Sequence, residues 1–230
     1  MEGWLNTAAA ATKESLMEAI RTCGSDDEPF FGYPVKEDGL FLQQDPEEFA
    51  SFVEYLVTKC PPSKLSIDVG VASGGNTKFV RDYYNVEKTI IVDIGQHPNH
   101  HHWRRIKPQV RTDIILEVID DSHSPRVREK LLPYAGQIDY AFVDGDHSYK
   151  GLKQDIFLMK EILKPGAIMT LHDTEAVEDC KRVFEEMKHS ENFELLENFV
   201  SRFGISVWRF TGKGNPKVGF LNRRFGWGKL

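Results

Sequence analysis

The stretch "IDVGVASGGNT", residues 67 to 77, decides the fold. It closes a β-branched run, "KLSIDV", and places Asp68, Gly70, Ala72 and Gly74 at alternate positions ahead of the helix-patterned "GNTKFVRDYY". A turn of small residues between a strand and a helix lets backbone come close to a ligand. The spacing is not the dinucleotide fingerprint G-x-G-x-x-G, because the glycines after Gly70 are Gly74 and Gly75.

Working outward, β-branched runs alternate with amphipathic segments, as in strand-helix-strand units around a parallel sheet. Seven strands are predicted: "KLSIDV", "KTIIVDI", "TDIILEVI", "IDYAFVD", "GAIMTLHD", "FELLENFV" and "GISVWRF". The crossovers are "GNTKFVRDYY", "SPRVREKLLPY", "SYKGLKQDIFLMKEIL" and "EAVEDCKRVFEEMKHS". The last two strands lie too close together for a crossover, which predicts a hairpin and an antiparallel final strand. Upstream, "DPEEFASFVEYLVTKC" has Asp45 as N-cap, Pro46 at the first helical position and acids in the first turn. Its apolar positions Phe49, Phe52, Val53, Leu56 and Val57 predict a helix packed on the sheet's edge. "CGSDDEPFFGYPVKEDG" before it reads as loop. The expected organisation is an N-terminal helical extension over 1–60, an α/β domain over 61–210 and a basic aromatic tail over 211–230.

Composition narrows the class. The chain has 230 residues, 40% of them hydrophobic and 28% charged, which supports a sizeable core and argues against disorder. No apolar run approaches the ~20 residues of a membrane span. The start, "MEGWLNTAAAATKESLMEAI", reads as an amphipathic helix and lacks the basic and apolar blocks of a secretory signal. Cys23, Cys60 and Cys180 are odd in number and dispersed, so a cytoplasmic location is expected. A net charge of -6 disfavours a broad nucleic-acid surface. The exception is the tail, where Lys213, Lys217, Arg223, Arg224 and Lys229 are interleaved with Phe220, Phe225 and Trp227. That pattern suits a mobile end, an arm on a neighbouring subunit or a grip on a polyanion, and with the N-terminal helices it predicts a homo-oligomer.

Polar groups recur at successive strand ends. Asp93 ends the second strand, where a carboxylate can accept ribose hydroxyls, and Asp121 with Ser122 follows the third. After the fourth comes "FVDGDHSYKG", with Asp144, Asp146, His147 and Tyr149. Asp146 and Tyr149 are read as shaping the turn and the helix start. "HPNHHHW", 97 to 103, is read as a solvated loop, because adjacent histidines do not converge easily on one ion.

"GLFLQQDPEEFASFVEYLV", "IDVGVASGGNT", "DDSHSPRVREKL", "DYAFVDGDHSYKGLKQDI" and "LKPGAIMTLHDT" together resemble class I S-adenosylmethionine-dependent methyltransferases. The likeness is to methyltransferase domain 24, with its cephalosporin-hydroxylase-like and macrolide-sugar O-methyltransferase relatives, over roughly residues 39 to 175. It implies a Rossmann-like, seven-stranded, mostly parallel sheet with helices on both faces. It also implies that Asp68, Gly70, Ala72, Gly74, Asp93, Asp121, Ser122 and Asp144 bind S-adenosylmethionine, with Ala72 standing in a glycine place. In metal-dependent relatives, acids ending strands four and five hold a divalent ion. Here those positions are Asp144, His172 and Asp173, expected to take Mg²⁺ or Mn²⁺. His172 departs from the usual acid and would favour Mn, Fe, Co, Ni or Zn over Mg²⁺. His147 matches the general base of the sugar methyltransferases, with Asp144 facing the sulfonium. The implied activity is O-methylation of a small hydroxylated acceptor, with neither nucleic acid nor membrane as partner. A nucleic-acid methyltransferase, a hydroxylase-like enzyme and a non-catalytic module of the same fold stay open on sequence alone.

Overall fold

The protein is described by a computed structural model covering residues 11–25 and 32–212. Seven strands form the main sheet: β3 (Ser63–Val69), β4 (Val86–Asp93), β5 (Asp113–Ile119), β6 (Ile138–Val143), β7 (Leu163–Leu171), β8 (Phe193–Phe199) and β9 (Ile205–Phe210). Their spatial order is β5-β4-β3-β6-β7-β9-β8. Pairings from β5 through β7 are parallel, whereas β9 is antiparallel to both β7 and β8, so the predicted hairpin and antiparallel last strand are both present. Strand order reverses between β3 and β6, and a crevice at the carboxyl ends of these two strands is where open α/β sheets bind ligands.

Strand alternation distributes the core. Ile67, Val69, Ala141 and Val143 point to one face, where α5 (Pro125–Leu131), α6 (Tyr149–Ile162) and α7 (Glu178–Met187) supply Val127, Ile156 and Val183. Tyr140, Phe142 and Ile168 point to the other, covered by α1 (Lys13–Cys23), α2 (Pro46–Lys59) and α3 (Gly75–Tyr83). The first helix is capped by Thr12, which accepts from the Ser15 N–H. Asp45 caps the second by accepting from the Glu48 N–H at 3.0 Å.

Two expectations need refining. The helix α2 lies on a sheet face and reaches from the central strand β6 out to the edge strand β8, where Phe52 and Tyr55 meet Phe199, so the expected packing at the edge is made by way of the face. Its stripe of Phe49, Phe52, Val53 and Leu56 is fully buried there, with the Phe52 ring 6.0 Å from Phe142. A stripe this wide needs a face as well as an edge to cover it, and α1 in turn packs against α2. The histidine segment is not an irregular loop: Pro98–His102 is a 3₁₀ turn leading into α4 (Trp103–Ile106). His97 Nδ1 caps it by accepting from Asn99 N at 3.1 Å, and Trp103 is buried. At the start of the segment read as loop, β1 (Gly24–Ser25) pairs in parallel with β2 (Leu40–Phe41) just past its end, and residues 26–31 lie outside the described residues. So do 1–10 and 213–230, and with them the basic tail and its expected role in an oligomer. Among the described residues, no helix is long and apolar enough to cross a membrane.

Candidate functional site

A cavity of ≈ 570 Å³ opens over the carboxyl ends of the parallel strands. Its size is in the range of sites for nucleotide-sized molecules. The glycine turn forms one wall. Gly70 has φ +79, and a Cβ there would stand 2.0 Å from the Asp144 carbonyl oxygen, so only glycine lets the ends of β3 and β6 meet. At Gly74, with φ +82, a Cβ would stand 2.1 Å from the Trp103 ring.

Asp93 secures the turn from the next strand. Its Oδ2 accepts from Val71 N at 2.7 Å and Ala72 N at 3.0 Å, while Oδ1 accepts from Gly95 N at 2.6 Å. Its carboxylate is thus a brace for the loop as well as a cavity-lining acceptor. Ala72, in the glycine place, has φ +46. Gln43 at φ 52 and Asp173 at φ 58 are also left-handed, and these are the non-glycine residues of positive φ among the described residues. All three line the cavity, and backbone conformations of this cost concentrate at functional sites.

Asp121 and Ser122 line the rim beyond Asp93, together with Asp120 and His123. Asp68 does not line it. In the strand it alternates away from Ile67 and Val69 and lies 2% exposed, with Oδ1 accepting from Arg81 Nη2 at 2.6 Å and Oδ2 from Thr77 Oγ1 at 2.8 Å. Arg81, equally buried, also donates to Ser66 Oγ at 2.9 Å and stacks 5.5 Å over the Tyr140 ring.

The wall beside the glycine turn is chemical. Asp144 follows the last residue of β6 and His172 the last of β7, pinned side by side by the bond from His172 N to the Val143 carbonyl. His147 Nε2 lies 3.1 Å from Asp144 Oδ1 and 3.4 Å from Asp173 Oδ2. His172 Nδ1 faces the same two oxygens at 3.3 and 3.4 Å. Two carboxylates and two imidazoles therefore share one centre. Burial opposes the charge on His172, but Asp144 and Asp173 outweigh it and push its pKa up to about 10. Burial likewise opposes ionisation of Asp144, and the two imidazoles hold it well below the usual carboxylate range. His147 is raised, first by its hydrogen bond to Asp144.

For a metal, the fit is partial and differs from the expected set. Ligand atoms of Asp144, His147 and Asp173 all lie within 4.8 Å of one another, so among the described residues the candidate imidazole ligand is the exposed His147, with the buried His172 behind it. Such a mixed nitrogen and oxygen set suits Mn²⁺ better than Mg²⁺. The histidine tract does not form a centre of its own. His97 caps a turn, His100 faces Asp93 at 3.2 Å, the His101 ring is 2.7 Å from the Pro98 carbonyl, and His102 stacks on Phe41 at 3.7 Å.

Sequence reading missed several wall residues. Gln43 and Gln44 stand in the quoted "GLFLQQD" but drew no role, and Phe203 carries no local signal. Phe203 reaches the cavity because buried Glu48 of α2 accepts from Arg202 N at 3.0 Å and Gly204 N at 3.1 Å, gripping the β8–β9 turn. Its ring centre is 6.0 Å from that of His172.

Residues 67–174 match a family described as "Methyltransferase domain". A search of curated proteins gave no match. Among solved structures, the chain is similar to the O-methyltransferase TomG from Streptomyces achromogenes, involved in tomaymycin synthesis and solved in complex with SAM. Identity is 12%, 87% of this chain and 89% of that chain are covered, and the TM-score is 0.54. It is also similar to the N-methyltransferase NodS from Bradyrhizobium japonicum WM9 in complex with S-adenosyl-L-homocysteine, at 14% identity, 76% and 93% coverage and a TM-score of 0.51. At such identities these structures speak for the fold, and their acceptors differ. The match spans the glycine turn and all the strand ends described above, and with these folds it supports a class I S-adenosylmethionine-dependent methyltransferase.

Proposed function

We propose that this enzyme methylates the oxygen of a small hydroxylated acceptor such as a sugar or a natural product. The observation that carries the proposal is the centre of Asp144, His147, His172 and Asp173 on the cavity wall beside the glycine turn. S-adenosylmethionine supplies an electrophilic methyl group when bound. The turn from Gly70 to Ser73, with Asp93, Asp121 and Ser122, would hold it, and all of these line the cavity.

An alcohol is a weak nucleophile near pH 7, so help in losing its proton is worth about 10²- to 10⁴-fold. His147 is partly exposed, and its Nε2 is turned to Asp144. Nδ1 is then the nitrogen left to receive the hydroxyl proton, while Asp144 orients the ring and stabilises its cationic form. Phe41, Leu42 and Phe203 add apolar surface that excludes water from the reacting centre. Incubating the protein with methyl-labelled S-adenosylmethionine, a metabolite extract and RNA tests the reading. Label is expected in the small-molecule fraction, and label confined to RNA would overturn it.

One observation favours a second reading, the convergence of ligand atoms from Asp144, His147 and Asp173. A divalent ion held there would supply positive charge that lowers the pKa of an acceptor hydroxyl. It would also occupy His147, so base and ligand are alternative duties for that side chain. Chelation distinguishes them: transfer lost to chelator and restored by Mn²⁺ supports the ion, and transfer indifferent to chelator supports His147 as the base.

A further inference from the structure

One buried acid takes no part in the chemistry described so far. Asp155 lies on the inward stripe of α6 among Leu152, Ile156 and Met159, and is 0% exposed. An isolated carboxylate in such a place is costly, so its partners should be specific. They come from the cavity rim. Asp155 Oδ1 accepts from Ser122 Oγ at 2.7 Å and lies 3.2 Å from His123 Nε2. The other nitrogen of that ring, Nδ1, lies 3.3 Å from Asp121 Oδ1, which also accepts from His123 N at 2.9 Å. Asp155, His123 and Asp121 thus form a carboxylate, imidazole, carboxylate chain running from the buried helix to a rim side chain that is 54% exposed. An exposed aspartate on a loop is normally free to change rotamer, and here the His123 backbone N–H and ring approach the same oxygen. Asp155 also sits under the neighbouring loop, since a Cβ on Gly145 would stand 3.2 Å from its Oδ2.

We propose that Asp155 is a positioning residue for the cofactor, acting through His123 to hold Asp121 in its binding rotamer. The inference rests on the reading that S-adenosylmethionine occupies this cavity with Asp121 and Ser122 at its rim. It assigns a role to an acid that touches neither cofactor nor acceptor. The Asp155 carboxylate 3.2 Å away raises the His123 pKa against the opposing effect of burial, which favours the ring form with an N–H toward each carboxylate.

A double-mutant cycle read by calorimetry with S-adenosylhomocysteine tests it. Asp155→Asn is expected to raise Kd about 10-fold, the scale of a charged hydrogen bond. In the Asp121→Ala background the same substitution should change Kd by no more than about 2-fold, because its main route of action is gone. A residue that merely supports the fold would give additive effects, and additivity would overturn the proposal. Should Asp155→Asn fail to fold, His123→Gln takes its place in the same cycle with the same two outcomes. Absence of heat from the folded wild-type protein would overturn the cofactor reading and this inference together, whereas wild-type binding with additive variants overturns the inference alone.

Discussion

Asp68 and Asp144 belong to adjacent central strands, and both stand near a carboxyl end, yet they live in different chemistry. Asp68 is the penultimate residue of β3 and points into the α3 face, where Arg81 and Thr77 consume its oxygens. Asp144 is the first residue past β6 and opens on the cavity with two imidazoles. Two positions relative to the strand end separate a buried brace from a reactive group, because pleat alternation governs the first and the chain's exit from the sheet governs the second.

The largest effect that would break this comparison is on stability. Asp68→Ala should cost about 3 to 5 kcal/mol in denaturant unfolding, since it leaves the Arg81 charge buried without its partner. A loss below about 1 kcal/mol would show that Asp68 is no brace. Asp144→Asn should cost clearly less, because the neighbouring imidazoles can shed protons when their partner becomes neutral. On the reactive side, His147→Ala should lower turnover by about 10² to 10⁴ while S-adenosylhomocysteine still binds, and unchanged turnover would remove it as base.

Asp93 sharpens the comparison as an intermediate case, being the last residue of β4 and both a brace and a wall. Asp93→Ala is expected to weaken S-adenosylhomocysteine by about 10-fold or more and also to lower the melting temperature. An effect on only one of the two would assign it to a single side.

The smallest effect is a pH dependence. His123 titrates above its ordinary value of 6.5 because of the Asp155 carboxylate beside it, with burial opposing. A raised folded-state pKa means that its contribution to stability is fully present below about pH 6.5 and fades as pH rises through the folded value. Subtracting the stability curve of Asp155→Asn from that of the wild type should expose this decline, and a flat difference would contradict it.

The sheet was legible because β-branched runs and helical stripes differ in period, and the Asp45-Pro46 start of α2 was legible from its capping chemistry. Gly70, Ala72, Asp93, Asp121, Ser122 and Asp144 were legible as strand-end residues, and all line the cavity, whereas Gly74 packs on Trp103 instead. Asp68 was named from a motif, although counting alternation back from Val69 would have turned it away from the site. Asp155 had a signal that went unread, an acid in register with Leu152, Ile156 and Met159 on an apolar stripe. Phe203 had none: it arrives through Glu48, a residue more than 150 positions earlier in the chain, and contacts of that range leave no local pattern.

The central claim is that Asp144 and Asp173 serve the chemistry at the cavity. Its most direct test is methyl transfer by the double variant Asp144→Asn, Asp173→Asn, at S-adenosylmethionine concentrations where calorimetry confirms a folded protein that still binds S-adenosylhomocysteine. Under either the base or the metal reading, transfer should fall by about 100-fold or more. Full transfer by the double variant would contradict the account.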